Sequence, residues 1–334
     1  MSQARTSHSE AGFSLPELLI AVTILLVISS AVTQGLLQIT NSQRTIANRT
    51  EMHSGVRSAT ELLQQEVGQA GRLALPNAVT LTAAVIPTAT TAVLSSVSGV
   101  FVGERLVVDP GSWNQMLSTT SEETVVVSAI NTVTRTITIS QSIDATGAAI
   151  QASFVNAHLS GATVTAMGGF SSGIVPPSMT NGSTATTLKL YGDINADGNM
   201  IYVEYTCDPL GGVPGTGNLY RNVMPFDQAT PKVAANASQA LLTNIQANPN
   251  NTACFTYTYP PTPIVNGNTY VVDVAITLTV QTQVIDPLTK QFQTETKALL
   301  NVSPRNVFNT WELASAGINN RVQPMPPTVT ALLP

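Results

Sequence analysis

Three groups of residues in this chain have types and spacings suited to chemistry. Asp193, Asn195, Asp197, Gly198 and Glu204 follow D-x-[DN]-x-[DN]-G-x5-E, which sets oxygen donors at alternate positions and a Gly at the bend. Ca2+ takes such carboxylate and amide oxygens, and the backbone carbonyl of Asn199 would join Asp193, Asn195 and Asp197 as a ligand. The competing reading is a polar hairpin turn, because Asp-Gly between alternating runs is a strong turn signal and strands flank it. Glu204 would then lie several residues along the second strand. Cys207 and Cys254 have no metal-type spacing. In an oxidising compartment the simplest use for them is a disulfide, closing a loop of about 46 residues and stabilising by roughly 3–4 kcal/mol. The alternative is two buried thiols. Glu17 stands at the leading edge of a long apolar run, and Leu18 to Gln43 contains no charged residue. A carboxylate deep in lipid costs about 2.5–3.5 kcal/mol on insertion scales, so this acid requires a partner.

Other chemistries are excluded. His8, His53 and His158 are scattered and make no set with the cysteines, so neither a zinc site nor a Cys-His nucleophile is expected. Asp109, Glu122, Glu123 and Asp144 read as solvated turn residues rather than an acid–base pair. Gly169-Phe-Ser-Ser-Gly173 matches G-x-S-x-G, but Ile174-Val-Pro-Pro177 follows where a nucleophile elbow needs a helix. The chain shows no phosphate loop and no dinucleotide fingerprint, so it reads as non-enzymatic. A net charge of −5 supplies no surplus to hold nucleic-acid phosphates. Charged residues at 10% and aromatics at 5%, with many Thr, Ser, Ala, Val and Asn, describe a β-rich extracytoplasmic protein rather than a disordered one.

The elements that would carry these residues follow in order. Residues 1–12 are a polar leader in which Arg5 gives positive-inside support. A helix of residues 13–72 is expected, its 13–38 part long enough to span a bilayer. Met52, Val56, Ala59, Leu63, Val67 and Ala70 recur at spacings of three and four, one face of an amphipathic helix. Arg44, Arg49, Glu51, Arg57, Glu61 and Glu66 are placed off that stripe. Such a helix is about 85 Å long, so its second half lies against a globular domain. Residues 77–169 alternate as a β-rich inserted module ending on an edge near Val164. Residues 187–308 form a second sheet domain, and 309–334 an extended tail. The fold class is α+β: a long N-terminal helix packed on an antiparallel sheet, with an inserted all-β module.

Gly12-Phe13-Ser14-Leu15-Pro16-Glu17, followed by the apolar run, resembles the prepilin peptidase site of type IV pilins. Glu61-Leu-Leu-Gln-Gln-Glu-Val-Gly-Gln-Ala-Gly-Arg72, Leu188 to Tyr191, Met200 to Tyr205, Leu219-Tyr-Arg221 and Ser303 to Asn306 are more loosely similar to W-class minor pilins and to J-class type II secretion pseudopilins. The resemblance implies cleavage between Gly12 and Phe13 by prepilin peptidase, N-methylation of Phe13, and a pairing of Glu17 with a neighbouring subunit's terminal amine during assembly. It implies partners among other major and minor pilins and an inner-membrane assembly platform. It places the leader in the cytoplasm and the β domains in the periplasm, and then in a pilus or pseudopilus. Calcium is the one cofactor the residues suggest. A reading from another class is a secreted β-rich adhesin or carbohydrate-binding protein, its signal peptide cut after Ala31.

Overall fold

The computed structural model describes residues 12, 14–111, 121–209, 217–227, 232, 239–262 and 264–332. Phe13 and the leader residues 1–11 lie outside the described residues. The fold is α+β, a long apolar helix followed by mostly antiparallel sheets.

Helix α1 runs from Leu15 to Gln69, 55 residues without a break. Its start is set by Ser14 and Glu17. The Ser14 backbone N–H and hydroxyl both donate to Glu17 Oε2, at 3.0 and 2.8 Å. This is the return half of a capping box, in which the third helical residue satisfies the N–H of the cap. Pro16 fits the first turn because the N–H it lacks would have no partner there. Its end is set by Gly71, at φ +78°, whose N–H donates to the Tyr191 carbonyl at 2.9 Å. A Cβ at Gly71 would stand 2.8 Å from a Val307 methyl, so both the backbone turn and the packing call for glycine.

The chain divides into two compact units. The first comprises α1 as far as Glu51 together with the hairpin loop Thr282–Gln293. In it, side chains from Ser14 to Thr40 are all exposed, and the most apolar window has a mean hydropathy of 2.3. By length and composition this stretch can cross a bilayer. Thr23, Thr33 and Thr40 each donate their hydroxyl to the carbonyl four residues back at 2.8 Å, which leaves no unsatisfied threonine hydroxyl on this apolar surface. Burial begins at Asn41 and Ser42. There the hairpin loop joins the helix: the buried Thr45 hydroxyl donates to Asp286 Oδ1 at 2.8 Å, and Arg49 donates to the Gln293 side chain. Burial opposes the Asp286 charge, but the Leu288 N–H, the Thr45 hydroxyl, the Thr289 N–H and nearby Arg49 hold its pKa below the usual range.

The second unit holds Met52–Gln281 and Thr294 onward. Its first sheet takes β1 (Val79–Thr80), β2 (Thr91–Val93), β3 (Arg105–Val108), β4 (Glu123–Asn131), β5 (Thr136–Ile143), β6 (Ala149–Gln151) and β7 (Thr163–Ala166). They pair antiparallel in the order β1-β7-β3-β4-β5-β2, with β6 beside β5, so β7 is interior where the sequence suggested an edge. The short strand β8 is Gly169–Phe170. The second sheet takes β9 (Thr187–Gly192), β10 (Ile201–Asp208), β11 (Gly217–Pro225), β12 (Ala240–Gln246) and β13 (Phe255–Thr258). After the small ribbon β14 (Ile264–Val265) and β15 (Asn268–Thr269) it adds β16 (Asp273–Gln281) and β17 (Thr294–Val302). Its order is β13-β16-β12-β11-β10-β9, with β17 beside β16. Met52, Val56, Ala59, Leu63, Val67 and Ala70 of α1 are all buried in one core with Leu190, Val203, Leu219, Ile245 and Ile276 of this sheet. The stripe read from spacing is therefore the packing face.

Residues 309–334, expected as an extended tail, are a correction. Helix α2 (Arg305–Ser315) buries Val307, Thr310 and Ala314, and Trp311 packs on the same cluster. Strand β18 (Val322–Gln323) pairs parallel with β8, and α3 (Pro327–Ala331) buries Val329. Gln323 holds the backbone of Arg105 from both sides, accepting its N–H and donating to its carbonyl, each at 2.8 Å. Proline content suggested looseness, but Pro304 and Pro326 stand at helix starts, where a missing N–H costs nothing.

Among the described residues the buried acid Glu104 has no ion-pair partner. Glu104, with no exposed surface, accepts only the Phe101 N–H, at 3.1 Å, and burial pushes its pKa up to about 8. The folded state therefore keeps a proton that the unfolded chain releases above the ordinary value of 4.5, and stability falls as pH rises from there to about 8. Glu104→Gln should remove this loss. The gain in unfolding free energy over the unsubstituted chain should grow with pH, reaching roughly 3–5 kcal/mol near pH 8. Parallel pH profiles of the two chains in urea unfolding would refute this account.

Candidate functional site

The residues expected to be processed sit at the head of α1. Gly12 is exposed with open space around it, as a peptidase substrate requires. Phe13, the residue expected to be methylated, is outside the described residues. Glu17 is exposed and held by its own helix cap through Ser14. The letters Ser14-Leu-Pro-Glu17, read in the sequence as part of a processing motif, also form a capping box. The cap presets the acid on the first helical turn. Both bonds from Ser14 go to Oε2, so Oε1 can accept from another group.

At the other end of the helix, Glu66 is buried and receives Arg221 Nε at 3.0 and 3.2 Å, a second guanidinium N–H, and the Tyr205 hydroxyl. Spacing places Glu66 three residues after Leu63 and four before Ala70, squarely on the stripe, and only its charge argues for the solvent side. Tyr205 and Arg221 face each other in the β10–β11 register, so one strand pair delivers both groups to the helix. This network locks the helix to the sheet in one register.

The loop with the calcium pattern folds on itself. Asp193 is buried; its Oδ1 accepts the N–H groups of Asp197 and Gly198 at 3.0 and 3.3 Å, and its Oδ2 faces Arg72 Nε at 3.4 Å. Asp197 Oδ1 accepts the Asn199 N–H at 2.8 Å. Glu204 is not brought to the loop. It lies on β10 opposite Lys189, accepts the Tyr202 hydroxyl at 3.2 Å and pairs with Lys232. Of the sequence-based set Asp193, Asn195, Asp197, Asn199 and Glu204, the strand carries Glu204 away from the loop, as its position several residues along β10 implies. Among the described residues no group of His, Cys, Asp and Glu converges as metal ligands.

Cys207 of β10 and Cys254 are joined, with an S–S distance of 2.07 Å. His158, isolated in the sequence, is buried between two acids: Nδ1 is 2.9 Å from Asp109 and Nε2 is 3.1 Å from Glu123. Burial opposes the imidazolium charge, but the two carboxylates outweigh it and raise the His158 pKa. Both ring nitrogens are engaged, so the group clasps β3, β4 and the turn before β7 rather than exchanging protons with a substrate. Glu122 pairs with Arg321, and Asp144 closes its own turn by accepting the Thr146 hydroxyl and the Thr146 and Ala148 N–H groups. No signal in the sequence links His158 to acids 35 and 49 residues away.

Compared with known families, the chain matches the prokaryotic N-terminal methylation motif over residues 7–33. Comparison with curated proteins gave no match, and neither did comparison with solved structures. The match indicates a pilin-type or pseudopilin-type prepilin, a substrate of prepilin peptidase that assembles with other pilins, and it points to a structural rather than an enzymatic protein.

Glu66→Ala should lower the unfolding free energy by roughly 2–4 kcal/mol, because Arg221 is left partly buried without its partner. The double substitution Glu66→Leu with Arg221→Met should lose less; equal losses in urea unfolding would show that the charge pair adds nothing beyond volume. EGTA should leave the melting temperature unchanged, and a rise on adding Ca2+ that Asp197→Asn abolishes would instead establish calcium at the 193–199 loop.

Proposed function

We propose that this chain is a minor type IV pilin, most like the W class, which primes or caps assembly of a filament. The observation that carries the reading is the methylation motif at residues 7–33 running directly into a 55-residue helix. On this reading the protein waits in the inner membrane with its leader in the cytoplasm and its sheets in the periplasm. Prepilin peptidase cuts between Gly12 and Phe13, and Phe13 is N-methylated. The apolar half of α1 then leaves lipid for a bundle of like helices. A carboxylate in such a bundle must be paired or lose its charge, which gives Glu17 its role toward a neighbour's terminal amine. A sequence without an enzymatic constellation and a net charge of −5 agree with a structural subunit that does not take up nucleic acid.

The intact mass and N-terminal sequence of the protein from native membranes should begin at N-methylated Phe13, and only when prepilin peptidase is present. A start at Val32, or an uncut leader, overturns the reading. Glu17→Gln separates the charge from the cap, since Gln also completes a capping box. This variant should be cut and methylated normally yet be strongly depleted from the sheared filament fraction.

A further inference from the structure

Behind β9 the structure holds a buried amine against a buried carboxamide. Lys189 Nζ is 2.7 Å from Asn181 Oδ1 and 3.2 Å from the Asn181 backbone carbonyl. Lys189 and Asn181 are 3% and 4% exposed. A carbonyl bond of about 1.23 Å puts the Asn181 Cγ no more than about 3.9 Å from Nζ, near attack distance. The carboxamide is held by its Nδ2, which donates to the Val329 carbonyl at 2.9 Å. Glu204, 7% exposed, stands directly across the strand pair from Lys189. The Tyr202 hydroxyl donates to Glu204 at 3.2 Å. Val175, Tyr191, Tyr202 and Val329 form an apolar surround.

We propose that Lys189 and Asn181 condense into an intramolecular isopeptide bond, with Glu204, the neighbour of Lys189 across the strand pair, as the proton acceptor. Nζ, having lost its proton, attacks Cγ. The Nζ–Cγ bond forms, the Cγ–Nδ2 bond breaks, and one of the two remaining Nζ protons passes to the departing nitrogen, which leaves as ammonia. No oxidant, cofactor or second substrate is consumed, and the chain loses one ammonia, about 17 Da. Burial and the repulsion of Lys232 lower the Lys189 pKa against the pull of Glu204, which favours the neutral amine the step requires. The bond ties the loop before β9 to the strand itself. It concerns the sheet domain alone and does not depend on the filament reading.

The test is intact and peptide mass spectrometry of the reduced full-length chain. The expected result is a mass lower by one ammonia, loss of tryptic cleavage at Lys189, and a peptide carrying both Asn181 and Lys189 that gives no backbone fragments between them, because the bond closes that stretch into a ring. Lys189→Met should restore the missing mass, and Glu204→Gln should slow or abolish the loss while circular dichroism stays native. A full mass with cleavage at Lys189 overturns the proposal. So does an ammonia loss that hydroxylamine reverses by cutting at Asn181-Gly182, which would mark a backbone succinimide instead. The unsubstituted chain alone decides between these results, so a variant that fails to fold does not leave the proposal untested.

Discussion

One helix has to serve two solvents, and the rest of the structure follows from that. In hydrocarbon, no water satisfies a polar group, so the first part of α1 is apolar on every side and its threonines turn their hydroxyls onto their own helix. In water, a helix apolar all round would aggregate, so from Met52 the apolar residues retreat to one stripe and a sheet covers it. The transition falls at Asn41, and the hairpin loop with Asp286 is what first covers the helix there. The helix itself passes from one regime to the other without a break.

Buried charges follow a consistent logic in the sheets. Glu66 and His158 are each met by two or more partners, so desolvation is offset. Glu104 has a single backbone donor, and there burial wins over ionisation. These groups tie distant segments together: helix to strand at Glu66, and strands to a turn at His158. Such ties specify which elements meet, a task that apolar contacts perform with less selectivity.

The stripe from Met52 to Ala70 is legible in the sequence because period 3.6 survives in a single chain, and the longer strands such as β4, β5, β10 and β16 are legible because they alternate, whereas the short β1, β2 and β6 and the strand β12 are not. What cannot be read has three physical origins. Glu66 reads as solvent-facing when charge is weighed above position, yet a partner on β11 reverses that weighing. The clasp at His158 joins residues far apart in sequence, and no local pattern encodes it. Helix α2 runs into a stretch whose prolines begin only at Pro324, and composition counted over the whole tail hides it, because it says nothing about whether a proline stands at a helix start. The calcium pattern shows the opposite error: the letters fit, but an extended strand carries Glu204 away from the loop that would need it.

The bridge between Cys207 and Cys254 has a consequence for how this molecule withstands proteolysis. It brackets all of β11 and β12 and the connections around them. A protease that cuts anywhere inside that bracket breaks the chain but releases nothing, since both halves stay attached through sulfur. The bracketed stretch tolerates a single nick without loss of any covalent piece, and only a second cut frees the segment between the two. In a reducing environment the same cuts would let the molecule come apart.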